Sequence, residues 1–320
     1  MTIVNESGTQ QGPLLIFQNP RSGDRDLKEV RDVIQSRTRS SGRELVFLQP
    51  DSNASLEQAL SRAFEQASRQ QGTVVVSGGD GTINAAASIA IKRTQALGII
   101  PTGTFNFVAR SHGIPEETDQ AVELLLREPA RATRVGIIND RFFLVNSSIG
   151  SYARLQHERE GFKRVIGRSR TVASLAAFVS ALRPSPGMQL SVIYRGQEQK
   201  INCSTLIMCN SRLQLELVGV ETLPDRGADE LACVCLSPVG VSTQLAMIWK
   251  GWQRRISKAD EVESFLFEEL SISIPKRRSR WLTTAIDGEM QRLRLPLRVG
   301  VSDKPLWLIR PAFAGEGVSL

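Results

Sequence analysis

Histidine is almost absent from this chain: His112 and His157 are the only two in 320 residues. Cysteine is scarce as well, and Cys203, Cys209, Cys233 and Cys235 include no CxxC pair. These shortages argue against a zinc centre of the usual Cys/His spacing. Cys233 and Cys235 stand two apart in LACVCL, so on a strand they face one side. They read as reduced, strand-buried thiols of a cytoplasmic protein. Aromatic residues make up 6% of the chain. That leaves few platforms for base stacking, and no zinc-finger spacing or basic heptad region compensates, so nucleic acid is not an expected partner. No stretch supplies the roughly 20 apolar residues of a membrane span. The opening MTIVNESGTQQG lacks the apolar core of a signal peptide. Neither GxxxxGK[ST] nor GxGxxG occurs.

What the chain does have is positive charge, +7 net with a pI near 9.6, which suits anionic phosphates on nucleotides or membranes. It also has a regular alternation at its start. PLLIFQNP, ELVFLQP, GTVVVSGG and ALGIIPTG read as short strands. Between them, 24–40, 55–69 and 82–92 read as helices, with a short helix over 105–111. Strands alternating with helices predict a parallel sheet covered on both faces. From about residue 131 the pattern becomes a series of β-rich runs: TRVGIIND, FFLVNSSIG, MQLSVIYRG, INCSTLIMCN, LACVCLSPV, LSISIPK and RLRLPLRVGV. They predict an antiparallel sandwich, interrupted by one helical insertion over 161–182. The expected division is an α/β nucleotide-binding domain over 1–133 and a β-sandwich domain over 134–303. The closing segment 304–320, with KPLWLIRP, is a strand of either domain.

Ligands bind such parallel sheets beyond the carboxyl ends of the strands. Three loops fall there: NPRSG, GGDGT and PTGTFN. Glycines at Gly78, Gly79 and Gly81 permit positive φ and close backbone approach. The helix that follows offers free N–H groups and the positive end of its dipole. Together they make a phosphate cradle. An acid beside a phosphate repels it, and Mg²⁺ bound between them would resolve the conflict. The bland alternative is a tight strand–helix turn with Asp80 as a cap.

NPRSG, VVSGGDGT, PTGTFNFVARSHGIP and the late IDGE, in that order, resemble the diacylglycerol kinase catalytic-domain family, which includes bacterial lipid kinases and sphingosine kinases. The motifs span Asn19 to Glu289. GGDGT alone is shared with NAD kinases; the other strings narrow the resemblance to the lipid kinases. The resemblance implies an ATP-dependent, Mg²⁺-requiring transferase of phospholipid metabolism. It would move the γ-phosphoryl group to a lipid hydroxyl, on diacylglycerol or a similar acceptor, in an inter-domain cleft. It further implies that Asn19, Ser22, Gly23, Gly78, Gly79, Gly81, Thr82, Gly103, Thr104 and Asn106 hold ATP. Asp80 would act at the nucleotide–metal site, and Asp287 and Glu289 would be catalytic, Glu289 as general base. The chain departs from the family pattern at Phe107, where many members have Asp. It departs again at Arg134, where an Asp usually opens Asp-x-Gly; a cation there would change the charge of the cleft. An NAD-kinase-like enzyme and a nucleotide- or lipid-binding protein without catalysis stay open as alternatives.

Three basic, apolar-flanked stretches suit peripheral contact with an anionic bilayer: Lys163 to Leu182, Trp249 to Arg255, and Lys276 to Trp281. The bland reading of each is a solvated surface. A lipid substrate is the expected partner, with a homodimer left open.

Overall fold

Three uninterrupted apolar runs frame the first part of the molecule. In the computed structural model they are β1 (Leu14–Gln18), β3 (Thr73–Gly78) and β4 (Ala96–Pro101). Each is buried over most of its length, as strands covered on both faces must be. The structure describes residues 12–19, 27–39, 41–48, 53–150, 187–194, 196–210, 230–238, 262–275 and 279–312. The predicted helical insertion over 161–182 and the basic stretches Lys163 to Leu182, Trp249 to Arg255 and Lys276 to Arg278 lie outside them. The chain divides into two compact units, Met1–Val135 with Asp303–Leu320, and Gly136–Ser302.

In the first unit, β2 (Leu45–Leu48), β5 (Ala130–Thr133) and β18 (Leu306–Ile309) complete a six-stranded sheet in the order β2-β1-β3-β4-β18-β5. All neighbours are parallel except β18 and β5. The strand from the far end of the chain therefore sits inside this sheet, between β4 and β5. Helices α1 (Leu27–Thr38), α2 (Leu56–Gln70), α3 (Asp80–Arg93), α4 (Phe107–Ser111) and α5 (Thr118–Arg127) connect the strands. Ser55 opens α2 with a capping box: its hydroxyl accepts from the Gln58 N–H, and the Gln58 side chain accepts from the Ser55 N–H. Leu60, Ala63, Phe64 and Ala67 then form the buried stripe of that helix. The sequence did not single out α5, yet Ala121, Val122 and Leu125 join Val75, Ile100 and Ile309 in one core.

Among the described residues the second unit forms two antiparallel sheets of six strands, as predicted. One is β10-β9-β14-β17-β6-β7 and the other β13-β12-β11-β8-β15-β16. The first comprises β6 (Gly136–Ile138), β7 (Arg141–Phe143), β9 (Met188–Tyr194), β10 (Gln197–Cys203), β14 (Glu269–Ser273) and β17 (Leu297–Val301). The second comprises β8 (Asn146–Gly150), β11 (Thr205–Cys209), β12 (Leu231–Leu236), β13 (Val262–Phe267), β15 (Trp281–Ile286) and β16 (Glu289–Arg294). Inward residues of both sheets share one core: Leu190, Val192, Ile272 and Leu297 from the first, Ile149, Leu206, Met208 and Cys233 from the second. Two runs read as single strands are each two. INCSTLIMCN breaks at Ser204, which sends β10 and β11 into different sheets. RLRLPLRVGV breaks at Leu295-Pro296, because a proline has no N–H to continue a ladder. All four cysteines are unbridged and buried, and Cys233 and Cys235 do share the core face.

Candidate functional site

Asn19, at the end of β1, and the loops that follow β3 and β4 meet at one edge of the first sheet. Asn19 leaves β1, and its backbone N–H donates to the Ser77 carbonyl at 3.2 Å. Its side-chain amide donates to the Thr82 hydroxyl at 2.7 Å. The Thr102 N–H donates to the Gly78 carbonyl at 3.0 Å. The tightest point is between glycines: a Cβ on Gly103 would lie 2.7 Å from the Gly79 Cα. Only a residue without a side chain allows that approach. Of the two uses of glycine considered, positive φ and close approach, positive φ is not the one found here. Gly78, Gly79, Gly81 and Gly103 all lie outside that range, and Gly79 holds φ −87° as the N-cap of α3. At Gly79 and Gly103 the missing side chains serve proximity rather than handedness.

Asp80 is the first residue of α3, yet its carboxylate works on another helix. It accepts the Val108 N–H at 3.0 Å. It thus supplies the N-terminal cap of α4. Asn106, the residue in the N-cap position, has φ +50° and makes no side-chain cap. Its amide donates instead to Glu116 at 3.1 Å. Burial raises the Asp80 pKa, and the nearby backbone N–H dipoles, that of Val108 first, oppose the rise. Asp80 is the one acid in GGDGT and TGTFN. Mg²⁺ commonly keeps its waters and phosphate oxygens and takes only one or two carboxylates. A carboxylate has about four acceptor positions, so Asp80 fits such an ion as a single protein ligand while still capping α4.

Several polar atoms of this region are buried without a hydrogen-bond partner: the Ser77 and Thr102 hydroxyls, the Asn106 side-chain oxygen, and both amide atoms of Asn84. Asn84 and Glu116 were not singled out in the sequence. The available signal for Asn84 was a lone amide, one turn beyond Asp80, in the otherwise small and apolar INAAA. Thr104 is exposed at the loop tip. Ser22 and Gly23 lie outside the described residues.

Arg134 comes directly after β5. Thr133 pairs with Leu306, and Trp307 pairs with Ala96, the first residue of β4. Arg134 thus follows β5 at the amino edge of the sheet. The glycine loops lie at the other end of the six-residue β4, about 17 Å away at ~3.3 Å per residue.

The IDGE string is in the second unit, at the β15–β16 hairpin. Asp287 and Gly288 turn it with φ +46° and +91°, the pair of positive angles that a two-residue Asp-Gly turn requires. The Asp287 carboxylate accepts three backbone N–H groups, from Leu144 at 2.7 Å, Val145 at 2.8 Å and Asn146 at 2.9 Å. Its own N–H donates to the Asn146 carbonyl at 2.8 Å. The acid is thereby committed to fixing the hairpin on the β7–β8 turn. Glu289, two residues on, opens β16 with its side chain exposed.

Residues 13–138 match the diacylglycerol kinase catalytic domain family. A probable YegS-like lipid kinase of Yersinia enterocolitica is 29% identical over 160 residues, 48% of this chain and 52% of that protein. Its counterpart in Pseudomonas aeruginosa is 33% identical over 162 residues, 48% of this chain and 49% of that protein. The Enterobacter relative is 39% identical over 84 residues, 25% of this chain and 28% of that protein. The chain spans about half or less of the length of these curated relatives. The fold extends further: a putative diacylglycerol kinase from Bacillus anthracis superposes with a TM-score of 0.71 over 93% of this chain and 97% of that one, at 17% identity. The match to the diacylglycerol kinase catalytic domain thus covers residues 13–138, and the likeness in fold covers most of the chain.

Proposed function

We propose that the protein transfers the γ-phosphoryl group of ATP to a lipid hydroxyl of the diacylglycerol type. The observation that carries this reading is the backbone-to-backbone approach of Gly79 and Gly103, which leaves a side-chain-free surface at the N-terminus of α3. The positive end of the helix dipole suits phosphate oxygens there. Asn19 and Thr82, tied to each other, frame the same edge. Asp80 would hold Mg²⁺, which when bound supplies charge neutralisation for the phosphates. Glu289, an exposed carboxylate on a fixed hairpin, would take the proton of the acceptor hydroxyl. Asp287 is then a positioning residue, since its oxygens are engaged by the backbone. The charge of +7 favours an acceptor drawn from an anionic bilayer.

The test is transfer of labelled phosphate from ATP, with Mg²⁺, into diacylglycerol, a mixed lipid extract and NAD in parallel. Label in a lipid and none in NAD is the expected result. Label in NAD alone, or in neither, overturns the reading. Glu289→Gln should lower kcat by about 10²–10⁴-fold, the usual worth of a general base, with KM for ATP unchanged.

A further inference from the structure

Phe105 stands in the middle of TGTFN, and it is 48% exposed. Other phenyl rings of this protein, such as Phe64, Phe143 and Phe267, are fully buried. The ring of Phe105 is not loose: it lies parallel to that of Phe107, with centroids 5.4 Å apart and planes within 7°. Phe107 in turn belongs to the first turn of α4, whose Val108 N–H donates to Asp80. On the other side the loop is pressed against Gly79 at Gly103. An aromatic face is thus presented from a segment held at both ends.

Phe105 follows Gly103 by two residues, so their Cα atoms are at most about 7 Å apart. That places a flat apolar surface beside the backbone cradle, roughly a sugar's distance from where phosphates would rest. Backbone N–H groups bind phosphates without regard to the base. A nucleotide needs something further to gain from its base, and base–aromatic stacking is the interaction least demanding of hydrogen-bond geometry. A second ring already fixes the orientation of the first, so little freedom is lost when a third is added.

We propose that the exposed face of Phe105, backed by Phe107, is the stacking platform for the purine base of the donor nucleotide. This rests on reading the neighbouring loops as a nucleotide-phosphate site, and it assigns Phe105 the choice of a nucleotide over a bare polyphosphate.

The test is calorimetric titration of the full chain with MgATP and with magnesium tripolyphosphate, in wild type, Phe105→Ala and Phe105→Trp. The expected result is an ATP Kd about tenfold weaker in Phe105→Ala and close to wild type in Phe105→Trp. Tripolyphosphate should bind all three alike. Equal weakening of both ligands in Phe105→Ala, or unchanged ATP binding, overturns the proposal and leaves the kinase reading intact. So does a loss confined to co-sedimentation with phosphatidylglycerol vesicles, which would make the ring a membrane contact. A wild-type chain that binds neither ligand overturns both readings.

Discussion

His112 closes α4 with neither ring nitrogen hydrogen-bonded, although it is buried. Burial, and then the positive charge of Arg310, lowers its pKa from 6.5 to about 4. The folded chain therefore resists a proton that the unfolded chain accepts. Nothing is lost above pH 6.5. As pH falls below 6.5 the unfolded state gains protons first, and the loss of stability saturates near pH 4, at about 3 kcal/mol. Urea unfolding at pH 7.5 and 4.5 checks this: His112→Leu should flatten the decline over that window. At the same scale, legibility was uneven. GGDGT draws attention to Asp80; that its carboxylate caps a different helix could not be read there, because the partner N–H of Val108 lies 28 positions away. Asp287 was read as catalytic from its motif alone. Its three backbone partners lie more than 140 residues back in the chain, beyond the reach of any local pattern.

Among the elements, the strands with buried apolar runs were legible because composition alone decides them. The misses had local causes. Helix α5 follows a charged lead-in, PEETDQ, which masks its short apolar stripe. Strands β10 and β11 run on without a proline or glycine, so only sheet membership separates them. The β15–β16 hairpin carries an element-scale prediction. Asp287→Asn turns one acceptor oxygen toward backbone N–H groups as a donor. An unsatisfied buried group costs roughly 1–3 kcal/mol, so thermal unfolding should shift down in Asp287→Asn. Glu289→Gln, altering an exposed side chain on the same hairpin, should leave the melting curve in place. Equal melting of the two variants would contradict the anchoring role.

For the whole molecule, the change from alternating β and α elements to β-rich runs near residue 131 was visible in the sequence. The destination of 306–309 was not, since a short apolar strand carries no address. Its pairing with β4 on one side and β5 on the other makes it an interior strand of the first sheet. Deleting 303–320 should therefore disrupt the first unit out of proportion to the few residues removed. Limited proteolysis should show cleavage within 12–135 in the truncated chain, while the sandwich strands stay protected. Protection across both units would show that the sheet closes without its last strand.

The same strand sets an order on how the protein is made. A ribosome delivers β1 to β5 early, but the gap between β4 and β5 stays open until residues 306–309 have left the exit tunnel. Every sandwich strand has emerged by then. The sandwich is free to form first, and the older half of the polypeptide waits for the newest piece to close it.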